Sequence, residues 1–140
     1  MKYYVVADVH GFCSILKDSL KEKGFFNDEE PHKLIVCGDL FDRGGEAVEL
    51  QKFILELLEK DEVILIKGNH EDMLVNALGK GYGRQFNLLR SNGGKDTYHQ
   101  CLEEPDWAEW RLKLKRLPTY MEYQNAQGET VYLSHAGYTP

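Results

Sequence analysis

Three short apolar runs, Tyr3-Tyr4-Val5-Val6-Ala7, Leu34-Ile35-Val36-Cys37 and Val63-Ile64-Leu65-Ile66, each break off into a polar turn that leads towards a helical pattern. Strands separated by helices pair in parallel, because a tight hairpin cannot join them. The order β-α-β-α-β therefore predicts an α/β domain whose strand ends, with the loops behind them, share one rim of the sheet. Those loops are unusually rich in chemistry. They read Asp8-Val9-His10-Gly11, Gly38-Asp39-Leu40-Phe41-Asp42-Arg43-Gly44 and Gly68-Asn69-His70-Glu71, and a fourth run ends in Ser134-His135-Ala136-Gly137.

Between the strands, Ile15, Leu16 and Leu20 keep helical spacing and predict a helix over 12–23, closed by Gly24. Val48, Leu50, Phe53, Ile54, Leu57 and Leu58 make one apolar stripe and predict a helix over 46–60. The run 63–66 is nearly all apolar rather than alternating, as in a strand covered on both faces. From Glu71 to about Leu78 a short helix is expected, then a flexible bend at Gly79, Gly81 and Gly83, then irregular or helical cover over 84–103. Pro105 to Leu117 reads as an amphipathic helix with Trp107 and Trp110 in the core, stopped by Pro118. Thr119 to Gln124 and Glu129 to Leu133 form a hairpin around Asn125-Ala126-Gln127-Gly128.

A chain of 140 residues supports one compact core, so a single domain over 1–140 is expected. Seventeen Lys and Arg against 23 Asp and Glu leave a net charge of −6 with no basic stripe, which argues against gripping a nucleic-acid backbone. No stretch reaches the ~20 apolar residues of a membrane span, and no signal-peptide core is visible. Cys13, Cys37 and Cys101 are odd in number and lack metal-finger spacing, which fits idle thiols in a reducing cytoplasm. An anionic substrate would need local cations.

The loops could supply them. Asp8 and His10 alternate at the end of an extended segment, so both side chains can reach one point once Gly11 releases the backbone. Asp39 and Asp42 stand three apart beside Arg43; the alternative is that one of them caps the following helix with Arg43 as an ion-pair partner. Asn69 and His70 follow the third strand and His135 the fourth, where a plain strand-end histidine is the competing reading. His32 and His99 lack any such setting and read as surface or helix histidines. Carboxylate, imidazole and amide donors on one rim are the arrangement a two-metal centre needs.

In order along the chain, these segments resemble the D-x-H-G, G-D-x-x-D-R-G, G-N-H-E and H-A-G motifs of the calcineurin-type metallophosphoesterases. Among these the chain looks most like the bacterial and phage serine/threonine phosphoprotein phosphatases, with the symmetrical diadenosine-tetraphosphate hydrolases as close relatives. The resemblance runs from residue 3 to the chain end. It implies a sheet of mainly parallel strands with flanking helices plus the beginning of a second sheet, an incomplete β-sandwich. It also implies two divalent metal ions, Mn²⁺ first with Fe, Zn²⁺ or Mg²⁺ as the others: Asp8, His10 and Asp39 would hold one, while Asp39 bridges to a second held by Asn69 and His135. A water shared by the ions would attack phosphorus. His70 would protonate the leaving oxygen, Asp42 would orient its imidazole, and Arg43 would bind phosphate together with Asn69 and His70.

The same resemblance leaves Glu71 without a chemical role, so stabilisation of a helix N-terminus is expected of it. Asn92-Gly93-Gly94 with Thr97 looks like a family patch that supports the site from outside, and by itself is a turn before a helix. Lys67 stands where many of the phosphatases carry Arg, and Lys lacks the guanidinium fork. Family members continue to another histidine in a Gly-His segment and to further strands, so a domain lacking its C-terminal portion is expected. The function implied is hydrolysis of phosphomonoesters, with a phosphoserine or phosphothreonine protein or a small phosphoester as partner. Alternatives are a dinucleoside-polyphosphate hydrolase and a catalytically impaired module that binds metal or phosphate. A nucleotide-binding doubly wound domain fits poorly, because the first turn lacks G-x-G-x-x-G.

Overall fold

The computed structural model describes residues 1–80, 84–94, 97–99, 103 and 106–136. Three strands, β1 (Lys2–Val6), β2 (His32–Cys37) and β3 (Val63–Ile66), pair in parallel in the order β1-β2-β3. The helices α1 (Cys13–Glu22) and α2 (Ala47–Glu59) connect them. Helix α3 (Asn69–Lys80) follows β3, and α4 (Arg84–Ser91) and α5 (Asp106–Arg116) come next. A hairpin of β4 (Tyr120–Gln124) and β5 (Thr130–Ser134) forms a separate antiparallel sheet.

Strand alternation divides the core between the two faces of the parallel sheet. Leu34 and Val36 of β2 cluster with Leu16 and Leu20 of α1 and with Leu50, Phe53, Ile54 and Leu57 of α2. Leu50 and Ile54 are fully excluded from solvent, each worth about 1.5–3 kcal/mol relative to an exposed position. Ile35 and Cys37 turn the other way and join Ile66, with Tyr3, Ile64, Met121 and Leu133 packed against them. The hairpin thus covers the face opposite the helices, as the expected beginning of a β-sandwich requires. Both faces of β3 are covered, which accounts for its unbroken apolar sequence.

The expected ends hold at α1, where Gly24 takes φ 85° directly after the helix. Trp107, Trp110 and Leu114 of α5 are buried as expected. Three expectations are corrected. Helix α3 starts at Asn69 and runs through Gly79 to Lys80, because a helical glycine costs only about 1 kcal/mol and Met73, Leu74 and Ala77 bury the helix face; Gly81 and Gly83 lie outside the described residues. The residue before α2 is Glu46, so neither Asp39 nor Asp42 caps it. His32 is a half-buried strand residue, its ring 4.7 Å from Phe25 and 5.8 Å from Tyr4, rather than a surface one.

Candidate metal centre

Beyond the strand ends the backbone pairing of the sheet continues into the loops. Asp8 N donates to Gly38 O at 3.3 Å, His10 N to Asp39 O at 3.0 Å, Gly11 N to Leu40 O at 2.9 Å and Gly44 N to His10 O at 2.6 Å. So close an approach excludes side chains: a Cβ on Gly44 would lie 2.6 Å from the His10 carbonyl oxygen. Asp8, His10, Asp39, Asp42 and Arg43 all adopt positive φ, between 49° and 78°. Among the described residues, Asp61 alone shares that conformation without belonging to these loops. Left-handed backbone at non-glycine residues costs of order 1–3 kcal/mol each, and the interlocked loops over-determine it here.

Two donor groups result, and both contain Asp39. His10, Asp39 and His70 offer ligand atoms within 4.8 Å of one another, and so do Asp8, Asp39 and His135. Asp8 Oδ1 stands 3.9 Å from His10 Nε2 and 3.9 Å from His135 Nδ1, one histidine from each group. The orientation of each imidazole is fixed from behind. His10 Nδ1 donates to Phe41 O at 3.2 Å and His135 Nδ1 to Cys37 O at 2.9 Å. With Nδ1 spent on a carbonyl, each ring turns Nε2 towards the centre, the nitrogen a metal ligand would use.

The donor chemistry fits a cation. His135 Nε2 is 3.1 Å from Asp39 Oδ2 and 3.0 Å from Asn69 Oδ1. Asp39, Asn69 and His135, drawn from three separate segments, thus bring a carboxylate, an amide and an imidazole to one point, the mixed donor set a divalent cation takes. Turning the Asn69 amide over would let its nitrogen donate to both Asp39 oxygens at 3.2 Å and to His135 at 3.0 Å. In either orientation Asn69 stands beside both Asp39 and His135.

On the other side of Asp39, His70 Nδ1 is 2.8 Å from Asp42 Oδ2, with both side chains buried. Burial pushes the Asp42 carboxyl up from its ordinary value, and the hydrogen bonds from His70 and then Thr97 draw it down. Arg43 is exposed at the rim; its N donates to Gly93 O at 2.7 Å and its Nε to Asn92 O at 3.4 Å. The Asn92-Gly93-Gly94 turn and Thr97 thus brace Asp42 and Arg43 from outside.

Glu71 differs from expectation. It lies in the first turn of α3, yet its buried carboxylate accepts from Asp39 N at 2.9 Å and from Leu40 N at 3.0 Å. Burial raises its carboxyl, opposed by those backbone amides. No local spacing signals this, because the partners sit in a different loop. Lys67 is also committed elsewhere: its Nζ donates to Lys115 O at 2.8 Å and stands 3.5 Å from Asp72.

The family described as calcineurin-like phosphoesterase matches residues 1–139. The symmetrical bis(5'-nucleosyl)-tetraphosphatase of Buchnera aphidicola is 29% identical over 140 residues, covering 100% of this chain and 46% of the relative. Serine/threonine-protein phosphatase 1 of Salmonella typhimurium is 32% identical over 136 residues, covering 96% of this chain and 58% of the relative. The chain therefore spans about half the length of the curated relatives it matches. Among solved structures, a metallophosphoesterase from Sphaerobacter thermophilus shares the fold with a TM-score of 0.58 at 18% identity, covering 89% of this chain and 44% of that one. A serine/threonine phosphatase from Saccharomyces cerevisiae does so with a TM-score of 0.55 at 20% identity, covering 86% and 34%. Among the described residues, no helix is long and apolar enough to cross a membrane.

Proposed function

The chain belongs to the calcineurin-like phosphoesterase family, and from that premise we propose that it carries the metal centre of a phosphomonoester hydrolase, with phosphoserine or phosphothreonine in proteins as substrate. The observation that carries the proposal is the convergence of ligand groups on Asp39: its carboxylate belongs to both clusters of donor atoms, and its Oδ2 stands 3.1 Å from His135 Nε2, which in turn is 3.0 Å from Asn69. Asp8, His10 and Asp39 would hold one divalent ion, and Asp39, Asn69 and His135 the other; Asp8 Oδ1, 3.9 Å from both His10 Nε2 and His135 Nδ1, is within reach of either. Mn²⁺ is the ion proposed, with Fe, Zn²⁺ or Mg²⁺ as substitutes, since mixed oxygen and imidazole donors suit all four. When bound, such a pair lowers the pKa of water and offsets charge on the phosphoryl oxygens.

The protein groups supply the rest. Arg43, exposed at the rim, offers its fork to two phosphate oxygens. His70 gives a proton to the leaving oxygen from Nε2, because Asp42 engages Nδ1 and fixes the ring. Cys13 and Cys37, free and buried, support a reducing, cytoplasmic setting within the same reading.

The test is hydrolysis of an aryl phosphate and of a phosphoserine peptide by the metal-loaded chain, together with its metal content. Turnover with about two ions per chain, lost in Asp39→Asn, is expected. No turnover with at most one ion would leave an impaired metal- or phosphate-binding module. The match to a symmetrical tetraphosphatase across the whole chain favours a second reading, in which the substrate is a dinucleoside polyphosphate. Release of nucleoside diphosphate from it at a higher kcat/KM than phosphate from the peptide decides for that reading.

A further inference from the structure

We propose that Glu71 is the positioning residue for the shared carboxylate of Asp39, and through it sets the affinity of both ions at once; the inference rests on the two-ion reading above. Glu71 is 4% exposed, and both of its oxygens are spent on one target, the consecutive amides of Asp39 and Leu40 at 2.9 and 3.0 Å. Gly38 and Asp39 carry φ of 78° and 55°, so the chain turns sharply and aims those two amides into one concavity. Successive amides in a turn make an anion site. Here the anion belongs to the protein.

The neighbouring residue holds the other end of Asp39. His70 N donates to Asp39 Oδ1 at 3.0 Å, so successive residues in the first turn of α3 grip Asp39 by its backbone and by its side chain. Oδ2 is left to face His135 Nε2 at 3.1 Å and His10 Nε2 at 3.8 Å, one atom from each donor group. A first-turn acid serving only its own helix would have no reason to reach across to a loop on another strand. Because the grip acts on the one ligand common to both groups, its loss weakens both ions, whereas loss of His135 weakens one.

Glutamine keeps the size of Glu71 but sets an NH₂ group against one of the two amides, and aspartate is one methylene too short to meet both. Mn²⁺ titration of the metal-stripped full chain, followed by electron paramagnetic resonance, separates the outcomes. Wild type is expected to take up two ions, and Glu71→Gln to bind both about 10–100-fold more weakly. His135→Ala is expected to lose one ion and keep the other. Glu71→Gln with two ions at wild-type affinity overturns the inference and leaves the two-ion reading intact; a wild type that binds fewer than two ions overturns the reading itself, and this inference with it. Should Glu71→Gln not fold, amide exchange in metal-free wild type decides: slow exchange at Asp39 and Leu40 is expected, and exchange as fast as an exposed loop amide overturns the grip.

Discussion

His70 Nδ1 lies 2.8 Å from Asp42 Oδ2 in a setting where both side chains are almost wholly buried. A buried carboxylate that holds an imidazole by one nitrogen fixes which face of the ring, and which nitrogen, is offered outward. If the offered nitrogen protonates a leaving group, its value depends on how badly that group leaves. His70→Ala is expected to cost about 10²–10⁴ in kcat on phenyl phosphate and far less on p-nitrophenyl phosphate, whose phenoxide departs unaided. Asp42→Asn is expected to follow the same order with a smaller loss. Equal losses on both esters would remove His70 from the acid role.

Asp39 is common to both donor groups, while His135 belongs to one. Isothermal titration of metal-stripped protein with Mn²⁺ should therefore give about two ions for wild type, one for His135→Ala, and none with appreciable affinity for Asp39→Asn. Asn69→Asp is expected to retain the second ion, because it keeps an oxygen where Asn69 has one and adds a charge that favours the cation. Equal stoichiometry in His135→Ala and wild type would mean that the cluster of Asp39, Asn69 and His135 does not hold an ion.

The rim on which these residues meet was legible because it follows from topology: parallel strands all end on the same side, so Asp8, Asp39 and Asn69 were bound to be neighbours whatever the side-chain detail. His135 reaches the same place by another route, through a hairpin laid on the opposite sheet face, and only the sequence Ser134-His135-Ala136 hinted at it. The reach of Glu71 across to the Asp39 and Leu40 amides was not legible, since first-turn acids are common and their partners are normally local. The contact of Lys67 was hidden for the same reason, as its partner carbonyl at Lys115 comes from a distant helix end. The length of α3 was misjudged because Gly79 is a weak helix breaker set against the burial of Leu74 and Ala77.

Gly68 is where β3 hands the chain to the site, and a Cβ there would stand 2.5 Å from Asp39 Oδ1 and 2.7 Å from Asp39 N. Neither atom can yield without moving the shared ligand. Gly68→Ala is expected to destabilise the metal-free protein by about 1–3 kcal/mol. It should also abolish the rise in Tm that Mn²⁺ gives wild type, because a ligand stabilises only the state it binds. Thermal unfolding with and without Mn²⁺ measures both effects, and a full Mn²⁺-dependent rise in the variant would show that Asp39 has room to spare.

Far from the metal loops, Asp28 ties β1 to the segment before β2: Tyr4 Oη donates to its Oδ2 at 2.5 Å, Lys2 Nζ stands 2.9 Å away, and Glu30 N donates to Oδ1 at 3.0 Å. The Tyr4 hydroxyl first, then the Lys2 ammonium, hold the carboxyl far below the ordinary aspartate value of 3.8. A carboxylate depressed on folding contributes stability that is present above the unfolded value and is lost as pH falls towards the folded one, since the unfolded chain takes up the proton first. Asp28→Asn removes that contribution at neutral pH but has little left to lose in acid. Wild type should therefore unfold at higher temperature than the variant at pH 7, and the gap should shrink steadily below about pH 4. A gap that stays constant from pH 7 to pH 2 would mean that the charge on Asp28 does not strengthen the tie.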